Sequence, residues 1–558
     1  MAEQKKLGLI AAPLARMIGK RPIGDAADVA SKPTPQGAEM NNSDTRLPFD
    51  RRTLFKLGGG AVALTLLPDG LAYAAGGPSA NLAMVGEPQS LDPMASTADL
   101  IGIIMQHVYE TLYTFDANWA LRPMLAADMP TISADGKLYT IAIRPDAVLH
   151  NGRKLDAEDV VVSLKRWIDL TPRGKSIGAT IDAISAKGPT TVEIALKEVT
   201  PSLLSHLALP SGMAAIMAKE TIANPLTEFV GTGPYRFVER KPDQYTLLVR
   251  HDGYVARSEA PSGYAGKREA KLAELRFIPV PNANTRVEGA IAGQYHFSDQ
   301  LPVQSAKKIS GASGVQPILT MPYGFPYVVT NTKQGPMANL GVRKAFQLAL
   351  SEADMLLAAF GDEKFFAPSV EHFPKGSPFY SDAGAATYNK ADVAGAKKLL
   401  AEAKYDNTPI RILNSKQYEF HNRMALVMAE NLKEAGFNAT LDVVDWATLI
   451  QRRGDPVLWD VYVTHSAFLP EPMLSPPQLS DGAPGWWKTS AKDAALAAFN
   501  SETDPVKRGA LWGKVQQVVA DEVPYIRVGN FAALSGASAK MKGYQPMPWP
   551  AFWNVDLA

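Results

Sequence analysis

The residue types that perform covalent chemistry are few in this chain of 558 residues. There is no cysteine, which excludes a thiol nucleophile, thiolate metal ligands and disulfide bonds. The eight histidines include no pair at i, i+4 spacing, so the metal-binding helix of a zinc protease is absent. The sequence therefore predicts no catalytic residue, no metal site and no cofactor. Its many carboxylates leave an exported hydrolase of the two-acid glycosidase type open as the rival class.

Two glycine patterns resemble parts of enzyme sites. Gly174–Gly178 has the G-x-S-x-G spacing of a hydrolase nucleophile, but a nucleophile elbow needs a strand before it and a helix after it. This string instead follows a predicted helix that Pro172 stops, and we expect a loop there. The second pattern, TGPY at 232–235, lacks the Lys-Ser/Thr of a phosphate loop. It predicts a turn in which glycine provides a positive φ or a close approach of two backbones.

Several side chains are suited to binding a solute without covalent chemistry. Trp486 and Trp487 adjoin in a Gly-Ala-Pro-Gly context, where they either stack on a sugar or an apolar group or pack against their own loop. Ser96 and Thr97 either offer hydroxyl groups to a solute or cap a helix predicted over residues 98–113.

Three more residues are candidates of the same kind. His465 either recognises a carboxylate or a metal chelate, or is a structural residue of a strand. Tyr323 and Trp446 either contact a solute or pack in the core.

The elements that would position these residues are clearest over residues 135–167. Successive side chains of Leu138–Ile143 would fall on opposite faces of a strand, with Tyr139, Ile141 and Ile143 on one face. This alternation predicts a half-buried strand. Asp156 and Asp159 have the spacing of a capping box and predict the start of a helix. An apolar face then repeats at helical spacing until Pro172.

This stretch is similar to a signature of the periplasmic solute-binding proteins that serve peptide, nickel and opine ABC importers. The shared residues are Tyr139, Thr140, Arg144, Gly152, Leu155, Ala157, Glu158, Asp159, Val160 and Ser163. Further motifs of the family follow in order: LDP at 91–93, TGPY at 232–235, LGVRKAF at 340–346, AGAKKLL at 394–400, VDW at 444–446 and VPYIRV at 523–528. The ordered set, from about residue 82 to about residue 530, identifies the chain as a member of this family.

The resemblance implies an α/β fold with two lobes, the type II or Venus-flytrap arrangement of periplasmic binding proteins, and an extra subdomain in the first lobe. The implied boundaries are a first lobe over 75–320 with its subdomain at about 113–222, a second lobe over 321–515, and a C-terminal return to the first lobe over 516–558.

The resemblance also implies a function. Such a protein captures a small solute between its lobes and delivers it to a membrane permease driven by ATPase subunits, so no enzymatic activity is expected. The net charge of +1, with no basic block, gives no sign of nucleic-acid binding. A monomer is expected.

In peptide-binding relatives an acid of the second lobe, within a Trp-x-x-Asp-x-x-Asp-Pro stretch, pairs with the ammonium group of the solute. The corresponding stretch here is 464–472, in which Phe468 is a further candidate contact. Alignment on its first proline places Leu469 at the acidic position, whereas alignment on its second places Glu471 there. A peptide-like solute anchored by Glu471 is one interpretation, and a sugar, an opine or a metal chelate is the alternative.

The N-terminal residues predict export. Residues 1–49 have the composition of a disordered segment, and Met40 is an alternative start. Residues 50–74 resemble a twin-arginine signal peptide, with DRRTLFK at 50–56, a mildly apolar run, and the A-x-A cleavage site Ala72–Ala74. The mature protein is therefore expected in the periplasm.

Overall fold

The computed structural model describes residues 77–416, 418–474 and 479–558. The predicted disordered extension over 1–49 and the predicted signal peptide over 50–74 lie outside these residues. Among the described residues, no helix combines the length and the apolar character needed to cross a membrane.

The strands carry most of the architecture. In chain order they are β1 (Ser79–Met84), β2 (Tyr113–Phe115), β3 (Leu121–Pro123), β4 (Thr131–Ile132), β5 (Leu138–Ala142), β6 (Ile181–Ala186), β7 (Thr191–Leu196), β8 (Tyr235–Lys241), β9 (Tyr245–Arg250), β10 (Glu274–Pro279), β11 (Phe297–Leu301), β12 (Val315–Thr330), β13 (Phe366–Ala367), β14 (Ile410–Ser415), β15 (Ala439–Val444), β16 (Val461–Ala467), β17 (Tyr525–Arg527), β18 (Asn530–Ser538), β19 (Met541–Lys542) and β20 (Asp556–Leu557).

The α-helices cover these strands. In chain order they are α1 (Asp99–Met105), α2 (Ala157–Leu170), α3 (Pro172–Gly178), α4 (Leu203–Ala208), α5 (Ala283–Ile291), α6 (Ala306–Ser310), α7 (Leu340–Ala349), α8 (Glu352–Phe360), α9 (Val393–Glu402), α10 (Glu419–Glu434), α11 (Trp446–Arg452), α12 (Ser490–Ser501) and α13 (Pro505–Glu522).

Two strands, β12 and β18, join the two halves of a 12-stranded sheet whose main path runs β15-β14-β16-β12-β18-β11-β1-β10-β9-β8. The first part of β12, Val315–Thr320, pairs with β18, and its second part, Gly324–Thr330, pairs with β16. The register shifts between these two parts, so Tyr323 lies where β12 passes from one partner to the other. The two-lobed α/β fold predicted from the sequence is confirmed, and we refer to the strand pair β12–β18, which connects its two halves, as the hinge.

The return to the first lobe also follows this pair. β17 pairs with Tyr327–Val329 in the second lobe, and β18 then pairs with β11 in the first lobe. The chain thus runs from the β12 pairing to the β11 pairing along β18, and the boundary expected at residue 516 stays a prediction.

The extra subdomain contains an antiparallel sheet of order β4-β5-β7-β6 with α2 packed against it. The predicted capping box is confirmed, because the Asp156 side chain accepts from the Asp159 amide at 3.0 Å and the Asp159 side chain accepts from the Asp156 amide at 3.0 Å. The apolar face of α2 is buried against the sheet, including the fully enclosed Trp167.

The prediction of a loop at Gly174–Gly178 is wrong, because this string forms helix α3. Thr171 ends α2 and also caps α3, its hydroxyl accepting from the Gly174 amide at 2.7 Å, while Pro172 occupies the first turn, where proline is tolerated. A helix precedes Ser176 instead of a strand, so the string does not form a nucleophile elbow.

The helix predicted over residues 98–113 is shorter than expected, because α1 ends at Met105. The next residues pair with the TGPY turn: the His107 carbonyl accepts from the Tyr235 amide at 3.0 Å, and the Val108 carbonyl accepts from the Gly233 amide at 2.9 Å. These long-range hydrogen bonds take the place of helical ones at His107 and Val108. A local sequence pattern does not reveal them.

Close backbone approach explains the glycine at 233. A Cβ built there would lie 2.3 Å from the His107 carbonyl oxygen, well inside van der Waals contact. The predicted role of this turn as a site of close approach is confirmed.

We expect Gly233→Ala to lower the free energy of unfolding by about 1–3 kcal/mol, since the methyl group forces the two backbone segments apart. The matched control is Gly86→Ala, because a Cβ at Gly86 meets no heavy atom of the described residues within 4 Å. Urea denaturation of both variants checks this, and equal stabilities would contradict it.

Candidate functional site

The first-lobe loop after β1 is held in place by a buried ion pair. Asp92, of the LDP motif, accepts two bonds from the Arg166 guanidinium of α2, at 3.0 and 2.5 Å. The loop then presents Ser96 and Thr97, two of the predicted contacts. The Ser96 hydroxyl accepts from the Ala98 amide at 3.1 Å, and the Thr97 carbonyl accepts from the Ser211 hydroxyl at 2.7 Å.

Neither hydroxyl caps helix α1 directly, since its N-cap is Ala98 without a side-chain bond. The Thr97 side chain is exposed and that of Ser96 is half-buried. These two residues therefore lie on the accessible surface of the first lobe, at the N-terminus of α1.

Tyr323 lies at the hinge between the two parts of β12. Its carbonyl accepts from the Phe468 amide at 3.0 Å, and its ring centroid lies 6.2 Å from that of Phe531 in β18. Burial raises the pKa of Tyr323, and the nearby charges of Asp299 and Asp99 act in the same direction. The hydroxyl therefore stays protonated at neutral pH and is available as a hydrogen-bond donor.

His465 and Trp446 belong to one aromatic cluster of the second lobe. The His465 Nδ1 atom lies 3.0 Å from the Nε2 atom of His421, and the rings around the pair are those of Tyr418, Phe420, Trp446 and Phe531. Burial lowers the pKa of His465 to about 4 and that of His421 to about 2. Both rings are neutral at physiological pH, so His465 offers a neutral donor or acceptor and no cation for a carboxylate.

No group of three or more His, Cys, Asp or Glu residues in the described part of the chain is placed to hold a metal ion.

Phe468 contacts the subdomain. Its ring centroid lies 4.9 Å from that of Trp119, which the turn after β2 presents. Trp119 has φ 63°, a value that is uncommon for a non-glycine residue. Asp116 holds this turn, because its carboxylate accepts from the amides of Asn118 at 2.9 Å and Ala120 at 3.0 Å. The Trp119–Phe468 contact therefore joins the subdomain to the second lobe.

A cavity of about 450 Å³ lies beside this contact, a size suited to a small ligand. Both sides contribute to its wall, which includes Phe115, Trp119 and Tyr139 from the subdomain and Phe379, Pro470 and Arg508 from the second lobe. Its aromatic lining suits an apolar group.

Glu471, the predicted ammonium anchor, has no accessible surface. One carboxylate oxygen accepts from the Arg508 guanidinium at 2.5 Å, and the other accepts from the Met473 amide at 2.7 Å. Burial raises the pKa of Glu471, whereas Arg508 opposes that rise. The structure thus places Glu471 in a buried ion pair with Arg508 inside the second lobe.

Trp486 and Trp487 pack against their own surroundings, one of the two alternatives. Trp487 is 3 % exposed and its Nε1 donates to the Glu522 carboxylate at 2.5 Å. Trp486 stacks on Trp459 with a centroid distance of 5.6 Å, and the Lys333 ammonium lies 5.6 Å from its ring.

Sequence reasoning did not single out two first-lobe acids, Asp99 and Asp299. Asp99 begins α1 two residues after Thr97, and its carboxylate accepts from the Trp549 indole at 2.7 Å. Asp299 lies in β11 and is 4 % exposed. The acidic residue following Ser96-Thr97 was a usable signal for Asp99, whereas no local pattern marks Asp299.

We expect Arg508→Met to lower the free energy of unfolding by about 3–5 kcal/mol at pH 7, because it leaves the buried Glu471 carboxylate without a cation. Removal of the cation raises the pKa of Glu471 further, so the loss should shrink as the pH falls and Glu471 takes up a proton. Denaturant titrations between pH 5 and pH 8 measure both effects.

The control is Arg423→Met, which removes the exposed partner of Glu419 within α10 and should change stability by no more than about 0.5 kcal/mol. Adding Glu471→Gln to Arg508→Met should restore part of the stability. A pH-independent loss, or no recovery in the double variant, would contradict this role of the pair.

Comparisons with known proteins agree with the geometry. The family model described as bacterial extracellular solute-binding proteins, family 5 Middle, matches residues 120–484. A probable peptide ABC transporter periplasmic-binding protein of Sinorhizobium fredii, y4tO, is 27 % identical over 534 residues, covering 92 % of this chain and 100 % of that protein. The glutathione-binding protein GsiB of Pectobacterium atrosepticum is 25 % identical over 487 residues, covering 84 % and 91 %.

Solved structures share the fold. The ABC transporter substrate-binding protein CtaP of Listeria monocytogenes superposes with a TM-score of 0.74 at 21 % identity, covering 86 % of this chain and 99 % of that one.

Proposed function

Because the chain belongs to the family 5 bacterial extracellular solute-binding proteins, we propose that it is the periplasmic substrate-binding subunit of an ABC importer for a peptide-like solute. The main structural support is the cavity of about 450 Å³ between the subdomain and the second lobe. The names of two relatives, a probable peptide-binding protein and a glutathione-binding protein, support a peptide-like solute.

The solute binds between the lobes and contacts Ser96 and Thr97 on the first lobe, Tyr323 at the hinge, and His465, Trp446 and Phe468 on the second lobe. These groups offer hydroxyls, neutral ring nitrogens and aromatic faces, which suit the amide and side-chain groups of a peptide. The aromatic cavity beside Trp119 receives an apolar side chain of the solute.

Transport requires a change of shape and no covalent step. A solute that touches both lobes binds the closed form more tightly than the open form, and this difference in affinity drives closure. The closed protein, a monomer, then docks on a permease with its ATPase subunits. The strand pair β12–β18 provides the hinge, since both strands are shared by the two lobes.

We expect a mixture of tripeptides at saturating concentration to reduce the radius of gyration measured by small-angle scattering. Trp119→Ala should weaken binding about two- to tenfold, because the Trp119–Phe468 contact between the subdomain and the second lobe is lost. Tyr245→Ala is the control, since that ring lies on β9 beside Lys241 and Arg276.

An unchanged radius of gyration together with no measurable heat of peptide binding would contradict the proposed function. Equal effects of Trp119→Ala and Tyr245→Ala would contradict the role of the aromatic contact alone.

We also propose export by the twin-arginine route, on the basis of DRRTLFK at 50–56. Replacing both arginines, Arg51→Lys with Arg52→Lys, should hold the full-length precursor in the cytoplasm. Fractionation and immunoblotting measure this, with a Lys56→Arg variant as the charge-conserving control. Normal appearance of the processed protein in the periplasm would contradict the route and leave the binding function untouched.

A further inference from the structure

Asp299 is a buried carboxylate with an unsatisfied oxygen. Its side chain is 4 % exposed, and its Oδ2 atom has no hydrogen-bond partner among the described residues. The neighbouring guanidinium of Arg286 does not supply one, since its N–H groups donate at 2.6–3.0 Å to the carbonyl oxygens of Val280, Pro281, Asp299 and Gln300. A buried charge normally has a partner, so this carboxylate is unusual.

The strand that carries Asp299, β11, pairs with β18 of the hinge. Asp299 and Phe297 share a face of β11 by strand alternation, and the Phe297 ring lies 5.1 Å from that of Tyr544. Burial raises the pKa values of Tyr323 and Tyr544, and in both cases the charge of Asp299 adds to the rise. Asp299 therefore lies within electrostatic range of the hinge tyrosine and of the C-terminal segment.

A second carboxylate of the first lobe, that of Asp99, lies near Asp299. Its side chain is exposed, yet desolvation by the surrounding protein raises its pKa against the opposing effects of the Trp549 hydrogen bond and the charge of Arg173. Asp99 also raises the pKa of Asp299, which places the two acids within range of each other.

The positive charges near the two acids do not fully compensate the negative charges of their carboxylates. Arg173 donates to the Ser211 carbonyl and partly compensates Asp99. Arg286 compensates Asp299 only through space, because its hydrogen bonds go to the backbone. Burial raises the pKa of Asp299 to about 6, so in the absence of a partner this group is largely, but not fully, ionised at neutral pH.

We propose that the solute carries an ammonium or guanidinium group, which Asp99 and Asp299 of the first lobe bind beside the Tyr323 hydroxyl. The inference rests on the proposed function and names the charge of its solute. It also explains how a cationic solute can bind although Glu471, the second-lobe acid, is already paired with Arg508. The site that receives the cation is thus on the first lobe and close to the hinge.

The cation has two possible sources in a peptide, its N-terminus and a basic side chain, and four probes separate them. They are Ala-Ala-Ala, acetyl-Ala-Ala-Ala, acetyl-Ala-Lys-Ala and acetyl-Ala-norleucine-Ala, titrated calorimetrically into the full mature protein. We expect at least one charged peptide to bind ten or more times as tightly as its uncharged twin. A preference for Ala-Ala-Ala assigns the cation to the N-terminus, and a preference for the lysine peptide assigns it to a side chain.

The variants Asp99→Asn and Asp299→Asn should each reduce that preference at least fivefold, and Asp252→Asn should leave it unchanged. Asp252 is the control because its carboxylate is exposed and paired with Arg250 outside the hinge region. Asp299→Asn should in addition stabilise the solute-free protein at pH 8, since burial disfavours the ionised form of Asp299 that predominates there.

Proton uptake provides a further readout. A bound cation favours ionised Asp299, so the affinity of the charged probe should fall as the pH is lowered from 7 to 5, and less so in Asp299→Asn. The charged and titratable groups facing Asp299 are Arg286 of α5, Asp99 of α1, Tyr323 of β12 and Tyr544 of the C-terminal segment. Titration of the Asp99→Asn variant over the same pH range measures how much Asp99 contributes to the pH dependence of the affinity.

Equal affinities within both pairs of probes, or a preference that survives in both variants, would overturn the inference while leaving the proposed function in place. A loss of stability in Asp299→Asn at pH 8, with an unchanged preference in Asp99→Asn, would assign Asp299 a purely structural role and also overturn it. Failure of all four peptides to bind would contradict the proposed function itself and remove the inference with it.

Discussion

A carboxylate withdrawn from water needs a cation or several hydrogen-bond donors, and the buried pair of Glu471 and Arg508 satisfies this requirement inside the second lobe. The pair ties the loop after β16 to helix α13, and the same guanidinium lies 4.2 Å from the Phe499 ring centroid and on the wall of the aromatic cavity. Because Arg508 neutralises Glu471, the acid that the sequence offered as an anchor stabilises the fold. On the first lobe, by contrast, the Oδ2 atom of the buried Asp299 carboxylate has no hydrogen-bond partner among the described residues.

The position of that first-lobe acid follows from the way the lobes are joined. β12 and β18 each pair with strands of both lobes, and β11, which carries Asp299, pairs directly with β18. A group bound by Asp299 therefore lies next to the strands that bend when the lobes close. Tyr323 is placed at the register shift of β12, and the hydrogen bond from the Phe468 amide to its carbonyl connects the hinge to the loop that carries Glu471. Binding at this point links recognition of charge to closure.

The sequence predicted those features that depend on local patterns or on an ordered set of motifs. The capping box of Asp156 and Asp159, the close approach at Gly233 and the two-lobed α/β fold are of this kind. It did not predict the end of α1 at Met105, because the bonds that end this helix come from residues more than a hundred positions away. The sequence also predicted a loop where α3 forms, because Pro172 was interpreted only as the end of α2. In the structure Thr171 ends α2 and also caps α3, and Pro172 lies in the first turn of α3.

The candidate site was harder to predict for the same reason. The partner of Glu471 is 37 residues away on another helix, and only the fold shows that the pair is buried. Asp99 and Asp299 belong to different elements that meet only through the order of strands in the sheet. The contacts of Trp487 with Glu522 and of Trp486 with Trp459 likewise join distant segments, so the choice between a stacking platform and loop packing depended on tertiary structure.

The most direct test of the account is to identify what the protein carries when it is isolated from the periplasm. Mass spectrometry of the small molecules released on mild denaturation gives both the mass and the charge of the natural solute. The account predicts a short peptide, or a peptide-like compound, with a free ammonium or guanidinium group. A neutral sugar, an anionic opine or a metal chelate without such a group would contradict it.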